Sequence, residues 1–104
     1  MKINNLDPQL VVVTGGGSGI GRATAIRFAR RVAHVVVSDI DLDSADATAA
    51  MIKGAGRRAS AARLDVTDPD AWESFAREVR ADHGVPDVVV NNAGILVSGP
   101  FLEL

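Results

Sequence analysis

The segment LVVVTGGGSGIG, residues 10–21, determines the fold class that the sequence predicts. A run of apolar residues of strand length leads into a glycine-rich turn, and a helical pattern begins within that turn, near Ser18 to Ile20. One face of this predicted helix is apolar, and it consists of Ala25, Phe28, Ala29 and Val32. A strand, a glycine turn and a helix in this order are the start of a β-α-β unit.

Apolar runs of strand length and longer helical patterns keep alternating along the chain. Two further valine-rich runs, His34 to Ser38 and Val88 to Val90, are nearly continuous, which is typical of parallel strands covered on both faces. Right-handed crossovers then place the four predicted strands in the spatial order 3-2-1-4. The sequence therefore predicts an α/β fold, namely half of a doubly wound, Rossmann-type parallel sheet.

The two later helices carry recognisable signals at their ends. The second is predicted from about Asp43 to Lys53, with Gly54 as its terminating glycine. The third is predicted to be capped by Thr67 or Asp68, immediately before Pro69. The apolar stripe of this third helix consists of Trp72, Phe75, Ala76 and Val79.

Composition argues against several function classes. Hydrophobic residues make up 47% and charged residues 23% of the chain, which is usual for a globular domain. A formal net charge of −2 with interspersed signs gives no basic surface for nucleic acid. No apolar run approaches membrane-spanning length, and residues 1–8 form a leader without the apolar core of a signal peptide. We therefore expect no membrane partner. The chain has no cysteine, so we expect no thiolate metal site, and this composition fits a reducing compartment such as the cytoplasm, where we expect the protein.

The glycine-rich turn suits a phosphate group. Backbone N–H groups and the positive end of a helix dipole meet an anion at such a turn, and a Cβ atom would hold the phosphate away. A P-loop is excluded, because Arg22 and Ala23 stand where that motif needs a lysine and a hydroxyl. The G-x-G-x-x-G fingerprint also fails, because the sixth position counted from Gly15 is Ile20.

Two other interpretations of the turn remain open. Gly15, Gly17 and Gly19 can form the G-x-G-x-G loop of a methyltransferase that binds S-adenosylmethionine. Against it, Val13 stands where those loops usually follow an acidic residue. The turn can also be a plain tight connection between a strand and a helix that binds no ligand.

Four motifs, in order, resemble those of the short-chain dehydrogenase/reductase family. T-G-x-x-x-G-x-G is matched from Thr14 to Gly21, Asp39 closes the second strand, Leu64-Asp65-Val66 closes the third, and Asn91-Asn92-Ala93-Gly94 follows the fourth. The resemblance runs from about Gln9 onward. It implies that residues 9–104 are the amino-terminal, dinucleotide-binding half of a Rossmann domain. The parent enzyme would transfer hydride between a nicotinamide cofactor and an alcohol or carbonyl substrate.

The resemblance also assigns parts of the cofactor to residues of this chain. The glycine turn would hold the pyrophosphate, Asp39 the adenosine ribose hydroxyls, and Asp65 with the Val66 backbone the adenine ring. The turn that starts with Asn92 would line the ribose side of the cofactor, and the Thr14 hydroxyl would tie the first strand to it. The expected cofactor-binding residues are Gly15, Gly17, Ser18, Gly19, Ile20, Gly21, Asp39, Ile40, Asp65, Val66, Asn92, Ala93 and Gly94.

Asp39 favours NAD over NADP. Its carboxylate would repel a 2′-phosphate, and Ser18 and Ile40 hold the positions at which family members that prefer NADP usually carry a basic residue. Each assignment has a plainer alternative. Asp39 can belong to a solvated acidic run that caps the next helix, Asp65 can be a helix-entry carboxylate, and the Asn-rich turn can bind nothing.

The residues that would catalyse the reaction are missing from the sequence. By resemblance, a tyrosine acts as acid or base in hydride transfer, and a lysine four residues later lowers its pKa. The chain has no tyrosine, and its lysines are Lys2 and Lys53, so no catalytic residue is assigned. We expect the chain to stop before the catalytic region of a homo-oligomeric parent and to be inactive alone. A nucleotide-binding or inert fragment without catalysis remains the alternative.

Three other side chains receive no functional role. His34 and His83 are expected at the surface or as capping residues, and Trp72 is expected in the core. Val32 departs from the resemblance, because the family usually has glycine at this turn out of the first helix. A left-handed β-branched residue would cost about 1 to 2 kcal/mol, so either the turn differs here or local stability is reduced.

Overall fold

The computed structural model describes residues 9–92, which form one α/β unit. Strands and helices alternate, as the sequence predicts. The strands are β1 (Leu10–Thr14), β2 (His34–Asp39), β3 (Ala59–Arg63) and β4 (Val88–Asn91). The helices are α1 (Gly19–Ala29), α2 (Leu42–Gly54) and α3 (Pro69–His83).

The described strands form one parallel sheet in the order β3-β2-β1-β4, which confirms the predicted topology. Thr14 at the end of β1 is in register with Ser38 on one side and Asn91 on the other. Asp39, the last residue of β2, is in register with Arg63 of β3. The ends of all the described strands therefore meet at one edge, where parallel sheets of this type bind ligands. This edge is called the carboxyl edge below.

Two apolar cores cover the two faces of the sheet. On one face, Val11 and Val13 of β1 pack with residues of α1 and α2, such as Ala25 and Ile52. On the other face, Val12 packs with residues of α3: Trp72, Phe75, Ala76 and Val79. Trp72 is thus a core residue, as predicted. Every residue of β1 is buried, which explains why its sequence is continuously apolar instead of alternating.

The ends of α2 and α3 follow their sequence signals closely. Asp68 caps α3 by accepting hydrogen bonds from the Asp70 and Ala71 N–H groups, so the cap is Asp68 and not Thr67. The predicted start of α2 was one residue late, because the Asp41 side chain caps the helix. The helix ends at Gly54 as predicted, but the left-handed glycine that turns the chain is Gly56, with φ of 81°.

The turn after α1 accommodates Val32 without backbone strain. No residue other than glycine has a positive φ in the 9–92 segment, so Val32 is not left-handed. Its N–H donates to the Phe28 carbonyl at 3.1 Å, and its side chain packs into the core beside α1. The turn therefore differs from the one that a glycine would make, and the expected loss of 1 to 2 kcal/mol does not arise here.

His34 and His83 meet at the edge of the sheet opposite the carboxyl edge. Their ring centroids lie 4.5 Å apart, and a ring nitrogen of His34 lies 2.8 Å from the Ser60 hydroxyl. The sequence does not predict this pair, because the two residues are far apart in the chain. Burial lowers the pKa of His34 below its ordinary value near 6.5, and the positive charges of His83, Arg58 and Lys53 lower it further.

This pair predicts how stability depends on pH. Because the pKa of His34 is lower in the folded chain, the unfolded chain binds the proton more tightly, so folding stability falls as the pH drops below about 6.5. Replacing His34 by glutamine should flatten this slope in urea unfolding curves recorded between about pH 5 and pH 7. His83→Gln should flatten it only in part. An unchanged slope in His34→Gln would contradict the assignment.

Candidate functional site

Gly19 and Gly21, at the start of α1, show two different reasons why the loop between β1 and α1 contains glycine. Gly19 has a φ of 56°, a left-handed backbone that side chains with a Cβ disfavour, and its missing Cβ would face open space. At Gly21, by contrast, there is no space for a side chain, because a Cβ there would clash with the Gly15 carbonyl. The first turn of α1 therefore packs directly on the backbone of the loop, with open space beside Gly19.

The N-terminus of α1 differs from those of the other described helices. Ser18 occupies its N-cap position but makes no side-chain capping bond within the described chain, and its first turn contains no acidic residue. By contrast, α2 and α3 are capped by Asp41 and Asp68 and each has an aspartate in the first turn. The first N–H groups of a helix have no acceptor inside it, and the dipole makes this end positive. The start of α1 thus suits an anion, which Asp41 and Asp68 would repel at the other two helices.

Asp39 is held against the glycine loop. Its Oδ2 accepts the Gly17 N–H at 3.0 Å, and its Oδ1 accepts the Asp41 N–H at 3.0 Å. It is not the cap of α2: Asp41 accepts from the Ser44 N–H and hydroxyl, and these bonds lower the pKa of Asp41. The acidic run does cap α2, but through Asp41, while Asp39 itself accepts from the Asp41 N–H and from the glycine loop. The contact with Gly17 was not predicted.

A cavity of about 280 Å³ opens at the carboxyl edge beside Asp39. Its lining brings together the ends of three strands: Gly15, Asp39, Ile40, Leu64, Asp65, Val66 and Thr67. Five of these, all but Leu64 and Thr67, are among the predicted cofactor-binding residues. Most of the lining is apolar, and it includes the carboxylates of Asp39 and Asp65. A mostly apolar cavity with a few polar groups is the usual form of a small-molecule site.

Asp65 is folded into a turn with Thr67. Its Oδ1 accepts the Thr67 hydroxyl at 2.6 Å and the Thr67 N–H at 3.0 Å. These bonds lower the pKa of Asp65, so the carboxyl is ionised near neutral pH. It does not cap α3, because Asp68 does that. Asp65 therefore lines the cavity as an ionised carboxylate, which can accept a hydrogen bond from an amino group.

The end of β4 adds a polar contact to this edge. The Thr14 hydroxyl donates to Asn91 Oδ1 at 2.8 Å, and the Asn92 N–H donates to the Thr14 carbonyl at 3.2 Å, so Thr14 ties β1 to β4 as expected. The amide nitrogen of Asn92 is buried and has no hydrogen-bond partner among residues 9–92. An unsatisfied buried donor is costly and indicates that a partner belongs there. The predicted residues Ala93 and Gly94 lie outside the described residues.

Other kinds of site are not found in the part of the chain that the structure describes. No group of three or more histidine, cysteine, aspartate or glutamate side chains is placed to hold a metal ion within residues 9–92. None of the helices α1 to α3 is both long and apolar enough to cross a membrane. The N-terminus of α1, the cavity beside Asp39 and the unsatisfied amide of Asn92 are all found at the carboxyl edge.

Comparison with known proteins gives consistent matches. The family model for short chain dehydrogenase matches residues 9–104. The probable oxidoreductase EphD of Mycobacterium tuberculosis is 56% identical over 94 residues, which cover 90% of this chain and 16% of that protein. The 1-deoxy-11-beta-hydroxypentalenate dehydrogenase of Streptomyces exfoliatus is 42% identical, over 96% of this chain and 37% of that protein.

Solved structures match as well. A metagenomic short-chain oxidoreductase in complex with NADP superimposes with a TM-score of 0.79 and 40% identity, over 84% of this chain and 39% of that one. A hydroxysteroid dehydrogenase from Escherichia coli superimposes with a TM-score of 0.78 and 38% identity, over 83% of this chain and 37% of that one. This chain thus spans well under half the length of these relatives.

Proposed function

Because this chain belongs to the short-chain dehydrogenase family, we propose that it is the dinucleotide-binding half of a nicotinamide-dependent oxidoreductase. Residues 9–104 would form that half, preceded by a leader at residues 1–8. The observation that carries the proposal is the N-terminus of α1, which lacks a side-chain cap among the described residues. This end of α1 follows β1, which lies between β2, whose last residue is Asp39, and β4, which is followed by Asn92 with its unsatisfied amide.

The residues at the carboxyl edge fit a dinucleotide. Open space beside Gly19 leaves room for a pyrophosphate near the first N–H groups of α1. Asp39 would accept hydrogen bonds from the adenosine ribose, and Asp65 with the Val66 backbone would bind the adenine ring. Asn92 would use its buried amide on the ribose side, with Ala93 and Gly94 beside it. When bound, the nicotinamide supplies the hydride chemistry, and the substrate would be an alcohol or a carbonyl compound.

NAD is the proposed cofactor, in preference to NADP. One structural relative was solved with NADP, so membership of the family does not decide between the two. Asp39 favours NAD, because its carboxylate is fixed against the loop by hydrogen bonds from the Gly17 and Asp41 N–H groups. A 2′-phosphate on the adenosine ribose would have to come close to this charge, at a cost of several kcal/mol.

The most direct functional test is a titration of the chain with NADH, followed by the fluorescence of the nicotinamide. We expect saturable binding at one site per chain. Gly19→Val should abolish it, because a β-branched residue disfavours the left-handed backbone and fills the open space beside the helix N-terminus. Binding that Gly19→Val leaves intact would place the nucleotide elsewhere and contradict the proposal. No binding at all would favour an inert fragment.

The 104-residue chain by itself should show no dehydrogenase turnover. It contains no tyrosine, so the acid or base of the family's reaction is not among its residues. The measurement is the change in NADH absorbance with a panel of alcohols and ketones, compared with Gly19→Val as background. Turnover clearly above that background would require another acid or base within residues 1–104 and would contradict this assignment.

Two further proposals concern the parent protein and rest on the sequence. We place it in the cytoplasm, since the absence of cysteine fits a reducing compartment. We also propose a homo-oligomer, as expected from the family resemblance. Gel filtration with light scattering on the parent protein tests the second of these, and a monomer at micromolar concentration would contradict it.

A further inference from the structure

We propose that Thr48 is a positioning residue for the phosphate-binding loop: its hydroxyl holds the Gly16–Gly17 peptide group in the orientation that cofactor binding needs. This inference rests on the proposed function. Thr48 lies in the middle of α2, outside the four motifs that resemble those of the family, and it is not one of the proposed cofactor-binding residues.

The Thr48 hydroxyl joins three elements. It donates to the Gly16 carbonyl at 2.8 Å and accepts a hydrogen bond from the Arg22 Nε at 2.9 Å. The side chain is fully buried, with 0% exposure. One hydroxyl therefore links α2 to the glycine loop and to the first turns of α1, across 32 and 26 residues of sequence.

Packing alone does not explain a hydroxyl at this position. Valine has the same shape as threonine and would avoid burying a polar group, which is unfavourable unless the group is hydrogen-bonded. A threonine within a helix commonly donates to its own helix four residues back. Thr24 of α1 does so, with its hydroxyl 2.7 Å from the Ile20 carbonyl. Thr48 instead directs its hydrogen bond out of its helix and into the loop.

The Gly16–Gly17 peptide group is fixed from both sides. Thr48 binds its carbonyl from α2, and Asp39 Oδ2 binds its N–H from β2 at 3.0 Å. Because a peptide group is planar, these two bonds fix its orientation. The residues that follow directly, Ser18 and Gly19, begin α1 and its anion-binding end.

A loop that is already ordered binds its ligand more tightly, because less conformational freedom is lost on binding. If the Thr48 hydroxyl is removed, the carbonyl of Gly16 loses its buried donor and Arg22 loses an acceptor. Only the hydrogen bond from the Gly17 N–H to Asp39 then holds the Gly16–Gly17 peptide group, so its orientation is less restricted. We expect weaker cofactor binding without any loss of a residue that touches the cofactor.

The test compares Thr48→Val with Thr48→Ser, which keeps the hydroxyl. Thr48→Val should raise the dissociation constant for NADH about tenfold, and Thr48→Ser should stay within about twofold of the wild type. Without any cofactor, the Gly17 amide hydrogen should exchange faster in Thr48→Val than in Thr48→Ser. Ile52→Val serves as the control, since it removes a buried carbon from the same helix without touching the loop. It should change neither quantity.

The outcomes separate this inference from the proposed function. If the wild type does not bind NADH, the proposed function fails and the inference fails with it. If the wild type binds NADH and Thr48→Val binds it equally well, only the inference is overturned. If Thr48→Val does not fold, Thr48→Ala provides the same comparison with a residue that favours helix. An Ala variant with wild-type affinity and wild-type Gly17 exchange would overturn the inference.

Discussion

Gly21→Ala is expected to lower the free energy of unfolding by about 3 kcal/mol and to remove measurable NADH binding. A Cβ at this position would run into the Gly15 carbonyl, which is backbone and cannot rotate away as a side chain would. Either α1 must move away from β1 or the loop must change its path. Both changes also displace the first N–H groups of α1, so stability and binding should fall together.

The matched control for this substitution is Gly54→Ala. Gly54 is the last residue of α2, and a Cβ there would meet nothing within 4 Å. Alanine should therefore be neutral, or stabilise the chain by up to about 1 kcal/mol, because it restricts the unfolded chain. Urea unfolding and NADH titration of the two variants give the comparison. A Gly21→Ala protein as stable as Gly54→Ala would contradict the close packing of α1 on the loop.

The wild-type protein is expected to bind NAD about 100-fold more tightly than NADP, and Asp39→Ala should reduce the difference to about tenfold or less. Alanine removes the charge that would face the 2′-phosphate. It also removes the acceptor for the Gly17 N–H, so the affinity for NAD itself should fall. The two effects are separable, because only the first distinguishes NAD from NADP.

Asp43→Asn is the control for the charge effect. It removes one negative charge from the same acidic run, but Asp43 is exposed and does not line the cavity. The ratio of the two affinities should stay close to that of the wild type. Calorimetric titration of each protein with NAD and NADP measures the ratio. Equal binding of both cofactors by the wild type would contradict the role of Asp39.

Most of the fold could be predicted because its signals are local. Continuous valine runs indicate strands covered on both faces, and the Pro69 and Asp68 signals placed the start of α3. The right-handed crossover rule then fixed the strand order. The same topology predicts that Asp39 and Asp65 lie near the glycine loop, since parallel strands end at one edge.

What could not be predicted depends on contacts between distant residues. Thr48 stands in an alanine-rich helical pattern, and nothing in that pattern distinguishes a hydroxyl that binds the loop from one that binds its own helix. The contact between His34 and His83 likewise joins a strand to the end of a later helix. At Val32 the resemblance suggested a left-handed turn, but the chain makes its turn with ordinary backbone angles.

We propose that a dinucleotide binds along the carboxyl edge, with its pyrophosphate at the start of α1. An NAD titration of the 15N-labelled protein, followed by the amide signal of each residue, tests this placement. Saturable shifts are expected at Gly17, Gly19 and Asn92, while His34 and Gly84, at the opposite edge, should stay unchanged. Unchanged signals at the glycine loop at saturating NAD, or shifts confined to the opposite edge, would contradict the account.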